Sequence, residues 1–299
     1  MPVRREAILK KLIGLWKTLR SVDRCLISFF LALNGLILIF HQNLHLWPWH
    51  TVKHFMFCLV ILIVAPIARY HGSRAVRFIF DWYPVASIPF IYWNMSHYIH
   101  LVFPGEFDAL IISFETALFG KLPNIALQDI VAPVITEIMQ LFYASYWFVI
   151  PVGAAILYFG RHDDLYDRFL YYVTLTFSIS CIVFVLFPVA GPRFFIAHRI
   201  FADYQGLFAT AFLRRFVEDA GMRGCAFPSA HVAVAVVVMT FVGEACSRWG
   251  RLIFLTIVTG LSLATIYGQY HYLTDVVAGL FLGMAIGWIG TKKAPGKNR

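Results

Sequence analysis

An all-α fold is predicted, a polytopic membrane bundle of about eight transmembrane helices, and three observations predict it. Hydrophobic residues make up 60% of the 299 and charged residues only 14%, well below the roughly 25% charged in an ordinary soluble domain. Apolar runs near the length of a bilayer crossing recur from end to end. Basic residues gather where those runs stop, as they do in the cytoplasmic flanks of membrane proteins.

Residues 1–24 read as a basic amphipathic segment. Ile8, Leu12, Leu15, Trp16 and Leu19 recur at helical spacing among Arg4, Arg5, Lys10, Lys11, Lys17, Arg20 and Arg24. That pattern fits a helix lying on anionic headgroups. It is not read as a secretory signal, because no small-x-small cleavage site follows and His41-Gln42-Asn43 closes the apolar run. Residues 25–77 hold two leading spans, 26–41 and 54–70. Residues 78–291 hold six more, at 78–102, 131–159, 169–190, 228–246, 251–269 and 272–290, before a basic tail at 292–299. A crossing needs roughly 20 residues, so the first two are short and 131–159 is long enough to tilt. There is no low-complexity stretch and no obvious repeat, which makes the chain one membrane domain.

Three features of this map carry open readings. Trp47, Trp49, Trp82 and Trp93 sit near span ends and read as interfacial anchors. Leu110, Ile111, Phe114 and Leu118 recur at helical spacing with Asp108 and Glu115 between them. They describe a short helix lying on the outer leaflet, as a lid over a lipid entrance or as a packed loop helix. Glu137 and Gln140 fall inside the 131–159 span, facing either a cavity or a neighbouring helix.

Charge sets the orientation. With both termini cytoplasmic, eleven basic residues in the tails join Arg69, Arg74, Arg77, Arg161, Arg168, Arg248 and Arg251, which puts 18 of 25 inside and 7 outside. That is the sign the positive-inside rule requires. An odd number of spans would strand one basic tail outside. The formal charge of +9 is therefore explained by membrane flanks, and nucleic acid is excluded as a partner. Five of the outer seven, Arg193, Arg199, Arg214, Arg215 and Arg223, share one segment. It is either a solvated loop balanced by Asp203, Glu218 and Asp219 or an anion-collecting mouth. The short termini favour a bacterial inner membrane over a Golgi-type one. The five cysteines show no metal-type spacing and read as small packing residues.

Chemistry concentrates in three short stretches: Gly191-Pro192-Arg193, Phe227-Pro228-Ser229-Ala230-His231 and Tyr270-His271-Tyr272-Leu273-Thr274-Asp275. Two antiparallel helices separate the two histidines, so His231 and His271 emerge on one membrane face, and Arg193 ends its span there too. Pro228 suits the first helical position. Ser229, Ala230 and His231 would then offer unpaired N–H groups and a helix dipole to an anion. Arg193 brings a planar fork of donors to phosphate oxygens. His271 and Asp275 are four apart and share a helix face, so the carboxylate can hold one ring nitrogen and free the other. His271 is thus the expected nucleophile, Asp275 its orienting base and His231 the general acid. Arg193, Ser229 and Ala230 bind the phosphate, with no cofactor and no metal required.

These motifs resemble the type 2 phosphatidic acid phosphatase superfamily, whose proline-serine-x-histidine block precedes a later histidine-x-x-x-aspartate. The resemblance covers about the last 110 residues and implies a six-helix phosphatase-type core from residue 78 onward, with the site on the extracytoplasmic face. Two departures stand out. The family's serine-arginine pair before the nucleophile is replaced by Ala264 and Thr265, and its lysine-bearing first motif by Phe-Pro-Val-Ala-Gly-Pro-Arg. Arg223 or another arginine of the same loop is the expected substitute for a lost phosphate ligand. The same departures resemble the inositol phosphorylceramide synthase branch, as do His271-Tyr272-Leu273-Thr274-Asp275, the Phe107-to-Gly120 stretch and the Tyr143-Tyr146-Pro151 pattern.

The resemblance implies a phospholipid or lipid-phosphate donor and either water or a lipid alcohol as acceptor. Headgroup transfer is favoured, with simple lipid phosphate or polyprenyl diphosphate hydrolysis as the alternative. A lipid transporter without catalysis is the reading from another class, and the intact histidine pair argues against it.

Overall fold

Bilayer-length apolar runs must satisfy their backbone internally, which only helices and closed barrels do. The computed structural model describes residues 14, 16–213 and 221–292, without the side chains of 69–71. Most of the N-terminal amphipathic segment, residues 293–299 of the basic tail, Arg214, Arg215, Glu218 and Asp219 lie outside them. The described residues contain nine helices of twelve residues or more and no strand. They are α1 (Ser21–Ile39), α2 (Trp47–His71), α3 (Arg74–Met95), α4 (Asp108–Phe119), α5 (Pro133–Phe159), α6 (Asp163–Leu186), α7 (Ala230–Ala245), α8 (Arg248–Tyr267) and α9 (Leu273–Lys292). All but α4 stand where a span is predicted, and the protein is a polytopic helical membrane bundle.

Six of the eight are by themselves long and apolar enough to cross a bilayer. The other two have physical reasons to fall short. Helix α3 opens with Arg74, Arg77 and Asp81. Helix α7 has 16 residues, about 24 Å against a hydrocarbon core of about 30 Å. It is the central helix, with Val232, Ala233, Val234, Ala235, Val237 and Val238 wholly buried. A helix sheathed by protein need not match lipid thickness.

Helix α4 is the short helix read between the spans, and its acids point inward. It and the following segment Pro123–Ile130 bend by 69° into a broken or re-entrant pair. Asp108 and Glu115 are fully buried, while Leu110, Phe114 and Leu118 are exposed. The acids face the bundle and the apolar side faces outward, because the surrounding solvent is hydrocarbon.

Helix α9 lies hard against α7. A Cβ on Gly279 would stand 2.5 Å from the Ser229 carbonyl oxygen, and one on Gly283 2.6 Å from that of Ala233. Small residues at this spacing let membrane helices approach closely. At the opposite end, the Arg20 guanidinium bonds Asp23, Asp81 and the Phe80 carbonyl, docking α1 on α3. The Tyr83 hydroxyl donates to Asp23 at 2.6 Å, so the charges buried there are paired. A second polar chain runs from His50 through the Tyr98 hydroxyl (2.8 Å) and His54 (3.1 Å) to Asn34 (2.9 Å), tying α2 to α1. Of the four tryptophans, Trp49 and Trp93 are exposed, whereas Trp47 and Trp82 pack on His41 and Tyr158.

Candidate active site

The site forms where three irregular stretches meet at one end of the bundle. After α6 ends at Leu186, residues 189–191 run beside 224–226. The Ala226 N–H donates to Val189 O at 3.0 Å, and the pairing is an isolated bridge between Val189 and Cys225. Gly191 turns the chain at φ +87°, and a Cβ there would meet the Tyr270 carbonyl at 2.7 Å. Only glycine takes this conformation without strain. Arg193 follows in a short turn, Pro192–Phe195, not at the span end itself. Its backbone N–H donates to Gln269 O at 2.9 Å. Its guanidinium lies over the rings of Phe194 and Tyr270, within electrostatic reach of His271.

His231 and His271 are neighbours. His271 Nε2 stands 3.3 Å from His231 Nδ1. His271 is buried, and its Nδ1 lies 2.9 Å from the Ala226 carbonyl oxygen. A carbonyl can only accept, so Nδ1 carries the hydrogen and Nε2 holds the lone pair. His231 is flanked by the rings of Tyr146 and Tyr143, with centroids 4.4 and 5.4 Å away, and Tyr143 stacks on Tyr270 at 4.0 Å.

Two local expectations need correction. His271 does not share a helical face with Asp275, because it lies two residues before α9 begins. Asp275 is the third residue of that helix, and its Oδ2 accepts the Tyr272 N–H at 2.8 Å, the back-reaching half of a capping box. The same oxygen is 3.5 Å from His271 Nδ1, so the Ala226 carbonyl is the nearer partner and the carboxylate the second. At the other helix, Ser229 is the N-cap and Pro228 precedes it, outside the first helical position. The Ser229 N–H is already donated to the Asp275 carbonyl at 2.9 Å. The open N–H groups at this end therefore belong to Ala230, His231 and Val232. The buried Ser229 hydroxyl has no partner among the described residues.

Arg223, expected to stand in for a missing cation, is held by an acidic neighbour. Its Nε and a terminal nitrogen donate to both oxygens of Glu106, at 2.6 and 2.8 Å. This bidentate hydrogen bonding raises the guanidinium above its usual range and commits its fork. Arg223→Gln should leave KM for a lipid phosphate within about threefold of wild type, as loss of a half-exposed ion pair would. A larger rise in a detergent assay would return Arg223 to the phosphate site. The family's serine-arginine positions, Ala264 and Thr265, shape the backbone instead. The Thr265 carbonyl accepts the N–H groups of both Tyr270 and His271 at 3.0 Å.

Sequence reasoning missed the struts beneath the site. Asp108 accepts the Ala190 and Gly191 N–H groups at 2.7 and 2.9 Å and the Tyr272 hydroxyl at 2.9 Å. Glu115 accepts the Thr274 N–H at 2.6 Å. The Asn124 amide donates to the Ile266 and His271 carbonyls at 3.2 and 3.1 Å. The bent pair thus holds the backbone on both sides of His271 and next to Arg193. A seven-residue spacing of acids on an apolar helix was the available signal. Glu137 gathers the start of a helical turn: its carboxylate accepts the N–H groups of Leu207, Phe208, Ala209 and Thr210, where 209–213 are helical. Gln140 donates to the Tyr270 hydroxyl at 3.1 Å.

Fold and site together define a polytopic membrane protein with a histidine pair, an arginine and a helix N-terminus gathered at one end. A sequence model described as the PAP2 superfamily matches residues 109–289, 181 of the 299, and the chain belongs to that superfamily. No curated protein and no solved structure matches it. Membership makes it an integral-membrane enzyme of the lipid phosphatase and phosphotransferase type, drawing lipid substrates from the bilayer. The match contains α4 to α9, and so five of the six spans expected for the core, α3 lying before it.

Proposed function

We propose that this enzyme transfers a phospho-headgroup between lipids through a phosphohistidine on His271, at the extracytoplasmic face. The observation that carries the reading is the hydrogen-bonded state of His271: with Nδ1 donated to Ala226, the lone pair is on Nε2 and directed at the second histidine. Phosphate displaces that contact on entering. The Nε2 lone pair attacks phosphorus and the bond to the leaving oxygen breaks. His231, protonated, gives its proton to that oxygen. In the second half, His231 takes the proton of the acceptor hydroxyl, whose oxygen attacks phosphorus and releases His271. In headgroup transfer the phosphate on His271 keeps its headgroup ester, diacylglycerol leaves first, and a lipid alcohol such as ceramide accepts. Arg193, the Ser229 hydroxyl and the Ala230 N–H steady the equatorial oxygens.

Burial of His271, beside a His231 flanked by the Tyr143 and Tyr146 rings, favours a lipid alcohol over bulk water as acceptor. Lipid mass spectrometry after incubating pure protein with phosphatidylinositol and ceramide, beside phosphatidic acid and polyprenyl diphosphate, tests this. An inositol-phosphate-bearing ceramide plus diacylglycerol is the expected product, undiminished by EDTA. Free phosphate alone would make the enzyme a hydrolase. No turnover of any of the four would leave lipid transport as the better account.

A further inference from the structure

The segment after the Arg193 turn presents apolar side chains outward although its backbone is firmly held. Phe201 is 85% exposed, Phe208 91%, Phe212 67% and Leu207 53%. Beneath them, Gln128 donates to the Arg199 carbonyl at 3.0 Å and accepts the Phe201 and Ala202 N–H groups at 2.7 and 3.1 Å. Gln269 donates to the Tyr204 hydroxyl at 2.8 Å. Glu137 gathers the amides of 207–210 and the Thr210 hydroxyl, at 2.7 Å. A loop left to itself would fold such residues inward, because burying a phenylalanine is worth about 2 kcal/mol. Here polar side chains from three separate elements fix the backbone with the Phe201 and Phe208 rings facing away from the protein.

What the rings meet follows from depth. Glu137 is 22 residues from the far end of α5 at Phe159, about 33 Å along the helix axis. That is close to the thickness of the hydrocarbon core, about 30 Å. The residues stapled to Glu137 therefore sit at the membrane boundary on the catalytic side. They continue a lipid-facing strip on α5, where Val134, Ile138 and Leu141 are exposed. Arg199, exposed at the start of the segment, adds positive charge at the level of lipid phosphates, and Arg214 and Arg215 follow in sequence. The inner side of the segment reaches the site through Tyr204, bonded to Gln269 two residues before His271.

We propose that residues 199–210 form a rigid ledge whose Phe201, Leu207 and Phe208 insert into the leaflet on the catalytic side and pass phosphate-bearing lipids to the histidine pair. The insertion stands on geometry alone; the delivery rests on the function proposed above. Insertion is read with bimane on Phe208→Cys in a Cys246→Ser background, which removes the one cysteine that is not buried. The protein is reconstituted in phosphatidylcholine vesicles containing doxyl-labelled phosphatidylcholine. The 208 label is expected to be quenched by the doxyl lipid and shielded from iodide, whereas a label on His162→Cys, at the opposite end of the bundle, is expected to be open to iodide. Equal iodide access at the two positions would overturn the ledge. Shielding without doxyl quenching would overturn it too, since a second copy of the chain or another protein would then cover the rings.

Delivery is read with Phe201→Ser/Phe208→Ser. Transfer from long-chain phosphatidylinositol to ceramide in vesicles should fall about tenfold, as expected when an apolar anchor is lost, with transfer between dioctanoyl phosphatidylinositol and hexanoyl ceramide in solution at the wild-type rate. An equal fall on both substrates would overturn the delivery role. Doxyl quenching of the 208 label, together with a wild-type protein that turns over no lipid, would sustain the ledge and remove the proposed function.

Discussion

His271→Ala is expected to abolish turnover, by roughly 10³-fold or more, as removal of a nucleophile does. Its Nε2 holds the lone pair of the site, and its Nδ1 is already hydrogen-bonded to Ala226, so no rotation of a neighbouring side chain supplies an equivalent atom. The other histidine is the nearest substitute, and it stands between the rings of Tyr143 and Tyr146. Since the two act as one unit, His231→Ala combined with His271→Ala should cost little more than His271→Ala alone. Turnover in detergent, with trapping of an acid-labile labelled phosphoenzyme in wild type, measures this. A His271→Ala protein with full activity would discard the phosphohistidine.

Asp108→Asn is expected to have the second largest effect, lowering kcat roughly 10²-fold with a much smaller change in KM, the scale of a misplacement near 1 Å. The carboxylate accepts three buried donors that belong to two different motifs: Ala190 and Gly191 beside Arg193, and Tyr272 beside His271. An amide offers one oxygen and turns its N–H₂ toward donors, and each buried donor left unmade costs about 1–3 kcal/mol. Thermal stability should fall as well. The kcat-to-KM split separates positioning from simple unfolding, and Asp108→Glu should recover part of kcat by restoring two acceptors. A kcat within twofold of wild type in Asp108→Asn would remove the strut.

How far a residue could be read depended on what surrounds it. Positions of eight helices were legible because a bilayer-length apolar run with basic flanks has few alternative folds. His231, His271 and Asp275 were legible as a group because two helices between the histidines return the chain to one face. Their hydrogen bonds were not. The partner of His271 Nδ1 is a backbone carbonyl 45 residues away, and carbonyls carry no residue identity. The role of Arg223 depended on Glu106, 117 residues distant. For α4 the pattern itself was ambiguous: acids on one side and apolar residues on the other describe a helix on a surface or one turned inside out against lipid.

Taken alone, the order of residues determined a membrane bundle and the meeting of His231 and His271 at one end of it, since each follows from local polarity and helix count. Tertiary structure decided which atom of His271 is free, that Arg223 is occupied, and that Asp108, Glu115 and Asn124 carry the site from below. Those outcomes depend on distances of about 3 Å between segments far apart in the chain, and periodicity along one helix carries no information about them.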